Sequence, residues 1–150
     1  MQRFLILVAI SVLAVEATAA GVAADVTSVV HQWADGFNKA DLRLIAASCA
    51  DEASVVDDFP PHEWNGAEAC TRWFEDFRAF ARRADITDAV ITVGEPGHVD
   101  ITADVAYVVA PMRLVYRVKG EPAKLDGIIT IVLRKDAANW RITSLTWADV

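Results

Sequence analysis

The sequence predicts an α+β domain: helices first, then a strongly curved, mostly antiparallel sheet. Three observations carry that prediction. From Val26 to Ala84 the apolar residues recur at helical spacing, broken once by a short β-branched segment and a proline turn. From Asp85 onward the period switches to strand character, cut by turns at Gly94–Gly97 and Lys119–Pro122. The successive hairpin links that result make a curved meander.

Residues 1–24 stand apart. Arg3 is followed by an apolar run over Phe4–Val15 and then by small residues, with small-x-small patterns at Ala17–Ala19 and Val22–Ala24. The run is well short of the roughly 20 residues a spanning helix needs, so it reads as a cleaved secretory signal. The expected mature protein is a single exported domain, residues 25–150, periplasmic or secreted, with no membrane span after cleavage.

Asp25 is placed to cap the first helix, in which Val26, Val29, Val30, Trp33 and Phe37 share one face; that helix should stop near Asn38–Ala40. Asp41 can cap a second helix, Leu42–Cys49. A short strand, Ser54–Val56, then delivers Asp57 and Asp58 into Phe59-Pro60-Pro61, where prolines end any ladder. Asn65-Gly66-Ala67-Glu68 has the spacing of a capping box and should open a third helix reaching about Arg83. Cys70, Trp73, Phe74, Phe77 and Phe80 form its buried stripe.

The sheet begins with Ile86–Val93. Val99–Val118 is too long for a flat strand, and Pro111 is the expected position of a bend or bulge. Leu125–Leu133 and Trp140–Trp147 complete the meander. In Leu125–Leu133 one face is wholly apolar; the other (Asp126, Ile128, Thr130, Val132, Arg134) is half apolar. That second face suits contact with a partner subunit, so a homodimer through the outer sheet face is expected.

Composition excludes several classes. The net charge of −7 is unchanged by removing residues 1–24, which hold one cation (Arg3) and one anion (Glu16), and an acidic domain repels phosphate backbones. Nucleic acid is therefore not an expected partner. Cys49 and Cys70 can form the disulfide an exported protein retains, or serve as small buried hydrophobes. The chain has no C-x-x-C, no phosphate-cradling glycine loop and no metal-ligand spacing around His31, His62 or His98; neither metal nor cofactor is expected.

The order of F-N-K-A-D-L-R-L-I, D-E-A-S-V-V-D-D, W-N-G-A-E-A and N-W-R-I-T-S-L-T-W resembles the NTF2-like superfamily over residues 25–149. This is the cone-shaped fold of nuclear transport factor 2, ketosteroid isomerase, scytalone dehydratase and the SnoaL-type polyketide cyclases. The resemblance implies a cone with groups inside it, and Asp57 falls where ketosteroid isomerase keeps its general base. The two oxyanion donors of that enzyme are replaced by Trp33 and Ile129, so steroid isomerisation is not implied. The cyclase pattern asks only for an acid–base carboxylate in an apolar pocket, a role open to Asp57 or Asp58. The aspartate–histidine pairing of the dehydratase pattern makes His62 a candidate partner. Trp33, Trp64, Trp73, Tyr107, Ile129 and Trp147 are the candidate pocket residues. The expected function is binding of a small apolar molecule, with metal-free isomerase, dehydratase or cyclase chemistry at Asp57. The alternative is a non-catalytic binding or interaction module whose cone is filled by its own side chains.

Overall fold

A computed structural model describes residues 7–150, with side chains from residue 19 onward. Three helices and seven strands follow in the order α1 (Leu7–Lys39), α2 (Leu42–Ser48), β1 (Cys49–Val56), β2 (Glu63–Ala67), α3 (Ala69–Arg83), β3 (Ile86–Val93), β4 (His98–Thr102), β5 (Val105–Val118), β6 (Glu121–Asp136) and β7 (Asn139–Asp149). They form one curved, unclosed sheet ordered β2-β1-β7-β6-β5-β3, with β4 pairing β5 beside β3. Every pairing is antiparallel except β1 with β7.

The helices fill the concave side. On α1, Val26, Val30, Trp33 and Phe37 are buried, and they belong to one core with Ile129, Ile131 and Leu133 of β6, which have no exposed surface. Asp41 caps α2 as the sequence predicts, its carboxylate accepting the backbone N–H of Arg43 at 2.9 Å. Gly36 permits α1 and α2 to touch, because a Cβ there would stand 2.8 Å from the Ile45 side chain. The Asn38 side chain bridges α1 to β3 by donating to the Ile91 carbonyl (2.9 Å) and accepting from its N–H (2.8 Å).

Four expectations are corrected. The first helix does not begin at Asp25; α1 runs through that position, and the Ser28 hydroxyl donates to the Asp25 carbonyl. Arg3 lies outside the described residues, as do the side chains of the apolar run on which the signal reading rests. The capping box at Asn65–Glu68 does not form. Those residues lie in or just after β2, which pairs antiparallel with β1, and Glu68 precedes α3 in left-handed geometry (φ 58°) without a capping bond. The third correction concerns Val99–Val118, which is two strands joined by a tight turn at Ala103-Asp104, not one strand bent at Pro111.

Pro111 stays within β5 for a physical reason. Its carbonyl faces away from β6 and accepts the Gly94 N–H at 2.9 Å, so its missing N–H falls on the same side. That is where the neighbour of β5 changes from β4 to β3, and no ladder bond is lost. The fourth correction places Cys49 at the start of β1, outside a helix. It forms a disulfide with Cys70 in the first turn of α3, closing the question the sequence left open.

Candidate functional site: an aromatic cavity with one half-buried carboxylate

Alternation along β1 buries Ala53 and Val55 and carries Asp57, the next residue on that face, toward the interior. The strand end is held by a closed loop: Asp57 N–H donates to the His62 carbonyl (3.1 Å), and His62 N–H donates to the Phe59 carbonyl (2.9 Å). Beside this loop lies a cavity of about 290 Å³. Its walls come from α1 (Trp33, Phe37), the β1–β2 loop (Asp57 to Pro60), α3 (Trp73, Phe77, Phe80) and the inner sheet face (Ile86, Ile91, Met112, Leu114, Tyr116, Leu125, Trp147).

Asp57 is the polar centre of these walls. One carboxylate oxygen accepts the Trp73 indole N–H at 2.7 Å, and the other accepts the Asp58 backbone N–H at 2.7 Å. Burial is the main cause that raises its pKa to about 7; the adjacent Asp58 carboxyl adds to the rise, and the Trp73 bond offsets part of it. The arrangement therefore presents a carboxyl group that can give or take a proton near neutrality, in a largely apolar space.

The other candidates divide. Trp33, Trp73 and Trp147 line the cavity, and Asp58 lies on its rim, itself exposed. The Trp33 and Trp73 rings stand 5.4 Å apart. The Trp33 indole N–H is buried without a hydrogen-bond partner, a condition shared among the described residues only by Trp140. Trp64 is buried behind the wall, packed on Phe59 and donating its N–H to Asp76 at 2.8 Å. Ile129 is sealed in the core, paired with Trp147 across β6 and β7. Tyr107, expected in the pocket, lies 41 % exposed on the outer sheet face against His98, because it alternates with buried Ala106 and Val108. His62 is exposed in left-handed geometry (φ 77°), its ring nitrogen 3.2 Å from the Asp57 backbone oxygen and not at the carboxylate. Arg113 pairs with Asp126 on the outer face. Among the described residues no group of three metal-ligating side chains is gathered, and no helix is long and apolar enough to cross a membrane.

Sequence reasoning missed eleven of the sixteen wall residues. Tyr116, Leu114 and Met112 share one face of β5 by simple alternation, a legible signal once the strand is placed. Phe37, Phe77 and Phe80 read as ordinary core stripe, and periodicity does not distinguish a stripe facing a cavity from one facing packed side chains. Phe59 gave no periodic signal, since it lies in the proline loop.

A search of curated protein sequences returns no match. Solved structures share the fold at low identity. An NTF2-like protein with a cystatin-like fold from Novosphingobium aromaticivorans has a TM-score of 0.75 at 13 % identity, covering 92 % of this chain and 88 % of its own. A hexachlorocyclohexane dehydrochlorinase of type 2 gives 0.73 at 10 %, covering 89 % and 88 %. A ketosteroid isomerase-like protein from Erwinia carotovora atroseptica gives 0.67 at 18 %, covering 85 % and 95 %. The model of the SnoaL-like domain matches residues 26–146, from the middle of α1 into β7. With this α+β cone around it, the chain belongs to the SnoaL-like, NTF2-like family.

Proposed function

We propose that the protein is an exported small-molecule-binding protein whose cone holds a largely apolar ligand against Asp57. At that carboxyl it carries out proton transfer of the isomerase, dehydratase or cyclase type. One observation carries the reading: Asp57 lines the cavity with a pKa of about 7 while a neighbouring indole fixes its orientation. In this mechanism the ionised Asp57 takes a proton from the ligand and returns it at a second position. The aromatic walls exclude water, and Trp73 holds the carboxylate in place. Fold neighbours described as an isomerase-like protein and a dehydrochlorinase are compatible with this chemistry.

Export is supported by the apolar leader and by the Cys49–Cys70 disulfide, which persists in oxidising compartments. Cleavage near Ala24 leaves Asp25 free to cap the shortened α1. The alternative, a non-catalytic module with a filled cone, requires Trp33, Trp73 and Trp147 to close on one another, whereas they border open space.

Hydrogen–deuterium exchange at the carbon next to the carbonyl of 2-tetralone, a compact enolisable ketone, tests the reading. The wild-type protein is expected to accelerate exchange, with a rate rising through about pH 7. Asp57→Asn is expected to lower it by about 10²-fold or more. Exchange no faster than buffer, or unchanged in the variant, refutes proton transfer.

A further inference from the structure

We infer that the natural ligand is an organic cation: an ammonium group carried on a small apolar body, held among aromatic faces with Asp57 as its counter-charge. This rests on the reading that the cone holds a ligand against Asp57, and it adds the chemical class. Of the sixteen residues that line the cavity, eight are aromatic and two are carboxylic acids; none is Lys, Arg or His. The nearest cations along β5 point away, with Arg113 bound to Asp126 and Arg117 donating to the Gly120 carbonyl at 2.8 Å.

The rings are contiguous. Phe37 lies 5.0 Å from Phe77 and 5.9 Å from Trp73, and Phe59 lies 5.4 Å from Phe80 and 5.8 Å from Phe77. Ring faces are negative, so a cation gains from each face it meets while an anion is repelled. The donors a neutral or anionic oxygen would seek are few: the Trp73 N–H is taken by Asp57 and the Trp33 N–H is buried, which leaves the Tyr116 hydroxyl on the β5 wall. A carboxylate facing such a space is destabilised by burial with no cation beside it. An ammonium guest supplies that cation, and the chain's charge of −7 draws it in.

The ionisable groups around Asp57 are few. Asp58 adjoins it, Tyr116 lines the opposite wall on β5, and Trp73 on α3 is neutral; His62 touches only its backbone oxygen, outside the cavity. Loss of cation binding on acidification therefore reports on the Asp57–Asp58 pair, and the Asp57→Asn variant assigns it within the pair.

Three guests of one skeleton and different charge test the inference by calorimetry or quenching of the wall tryptophans: phenethylammonium, phenethyl alcohol and 3-phenylpropionate. At about pH 8 the ammonium is expected to bind at least about tenfold tighter than the alcohol, with the carboxylate weakest. At about pH 5.5 the advantage of the ammonium shrinks as Asp57 takes up a proton, while alcohol binding stays level. Asp57→Asn should keep alcohol affinity within about threefold and lose the preference for the cation. If that variant does not fold, the wild-type pH comparison decides alone. Alcohol binding as tight as ammonium binding, or a cation preference that survives in Asp57→Asn, overturns the inference but leaves the cavity as a ligand site. If none of the three binds at millimolar concentration, the parent reading falls with it.

Discussion

Asp57 and Trp73 are joined by one 2.7 Å hydrogen bond that favours the ionised carboxylate, while burial of the same group favours the protonated one. Burial wins, since the pKa stands near 7 against 3.8 for a free side chain. The folded state thus holds a proton that the unfolded chain has released between about pH 4 and 7, so stability falls as pH rises through that window. Asp57→Asn removes this slope. The melting temperature of the variant is expected to gain on wild type between pH 5 and pH 8 by an amount equivalent to about 2 kcal/mol, readable by calorimetry at each pH. A gap that stays constant with pH contradicts the assignment. Trp73→Phe should raise the Asp57 pKa further, because it deletes the indole N–H that favours the ionised carboxylate; carboxyl carbon NMR across the titration gives the midpoint. Asp57 itself was legible in the sequence, because a β-branched strand running into prolines marks a rigid strand end. Its partner was not: Trp73 sits 16 residues away on another element, and only packing reveals that its N–H, not the His62 imidazole, reaches the acid.

Three elements hold the acid in place, and each has a separate anchor. The disulfide ties β1, which carries Asp57, to α3, which carries Trp73, across a sequence separation of 21. Replacing both cysteines by alanine is expected to cost about 3 kcal/mol in urea unfolding, and reductant should then have no further effect. Asn38 ties α1 to β3 at Ile91, a cavity residue; Asn38→Ala leaves both backbone groups of Ile91 without that partner and should cost about 1–3 kcal/mol. On β6, Gly127 leaves room for the Trp147 ring, since a Cβ there would overlap both that ring and the Ala148 carbonyl. Helix α2 was readable from its cap, and α3 and most of the meander from their period. Strand β2 was not, because Asn65 and Gly66 are poor strand formers and the segment is extended only through its ladder with Ser54 and Ala53. The hairpin at Ala103-Asp104 was hidden for the opposite reason: apolar residues continue on both sides of a two-residue turn that lacks glycine and proline.

At the scale of the molecule, the outer sheet face exposes Val90, Tyr107, Val115 and Ile128 at 39–47 %, the apolar surface that the homodimer expected from the sequence would cover. Light scattering on residues 25–150 at tens of micromolar is expected to give twice the monomer mass, and Ile128→Lys should return it to monomer. A monomeric wild type refutes the dimer. The parallel pairing of β1 with β7 has one more consequence, in the order of assembly. β1 has two neighbours, the local strand β2 and β7, the last strand of the chain. Until residues 139–149 have been made and docked, the strand that presents Asp57 is anchored on one side only. A nascent chain therefore cannot finish the cavity before its last strand is made, and the acid is set in place only after that strand has arrived.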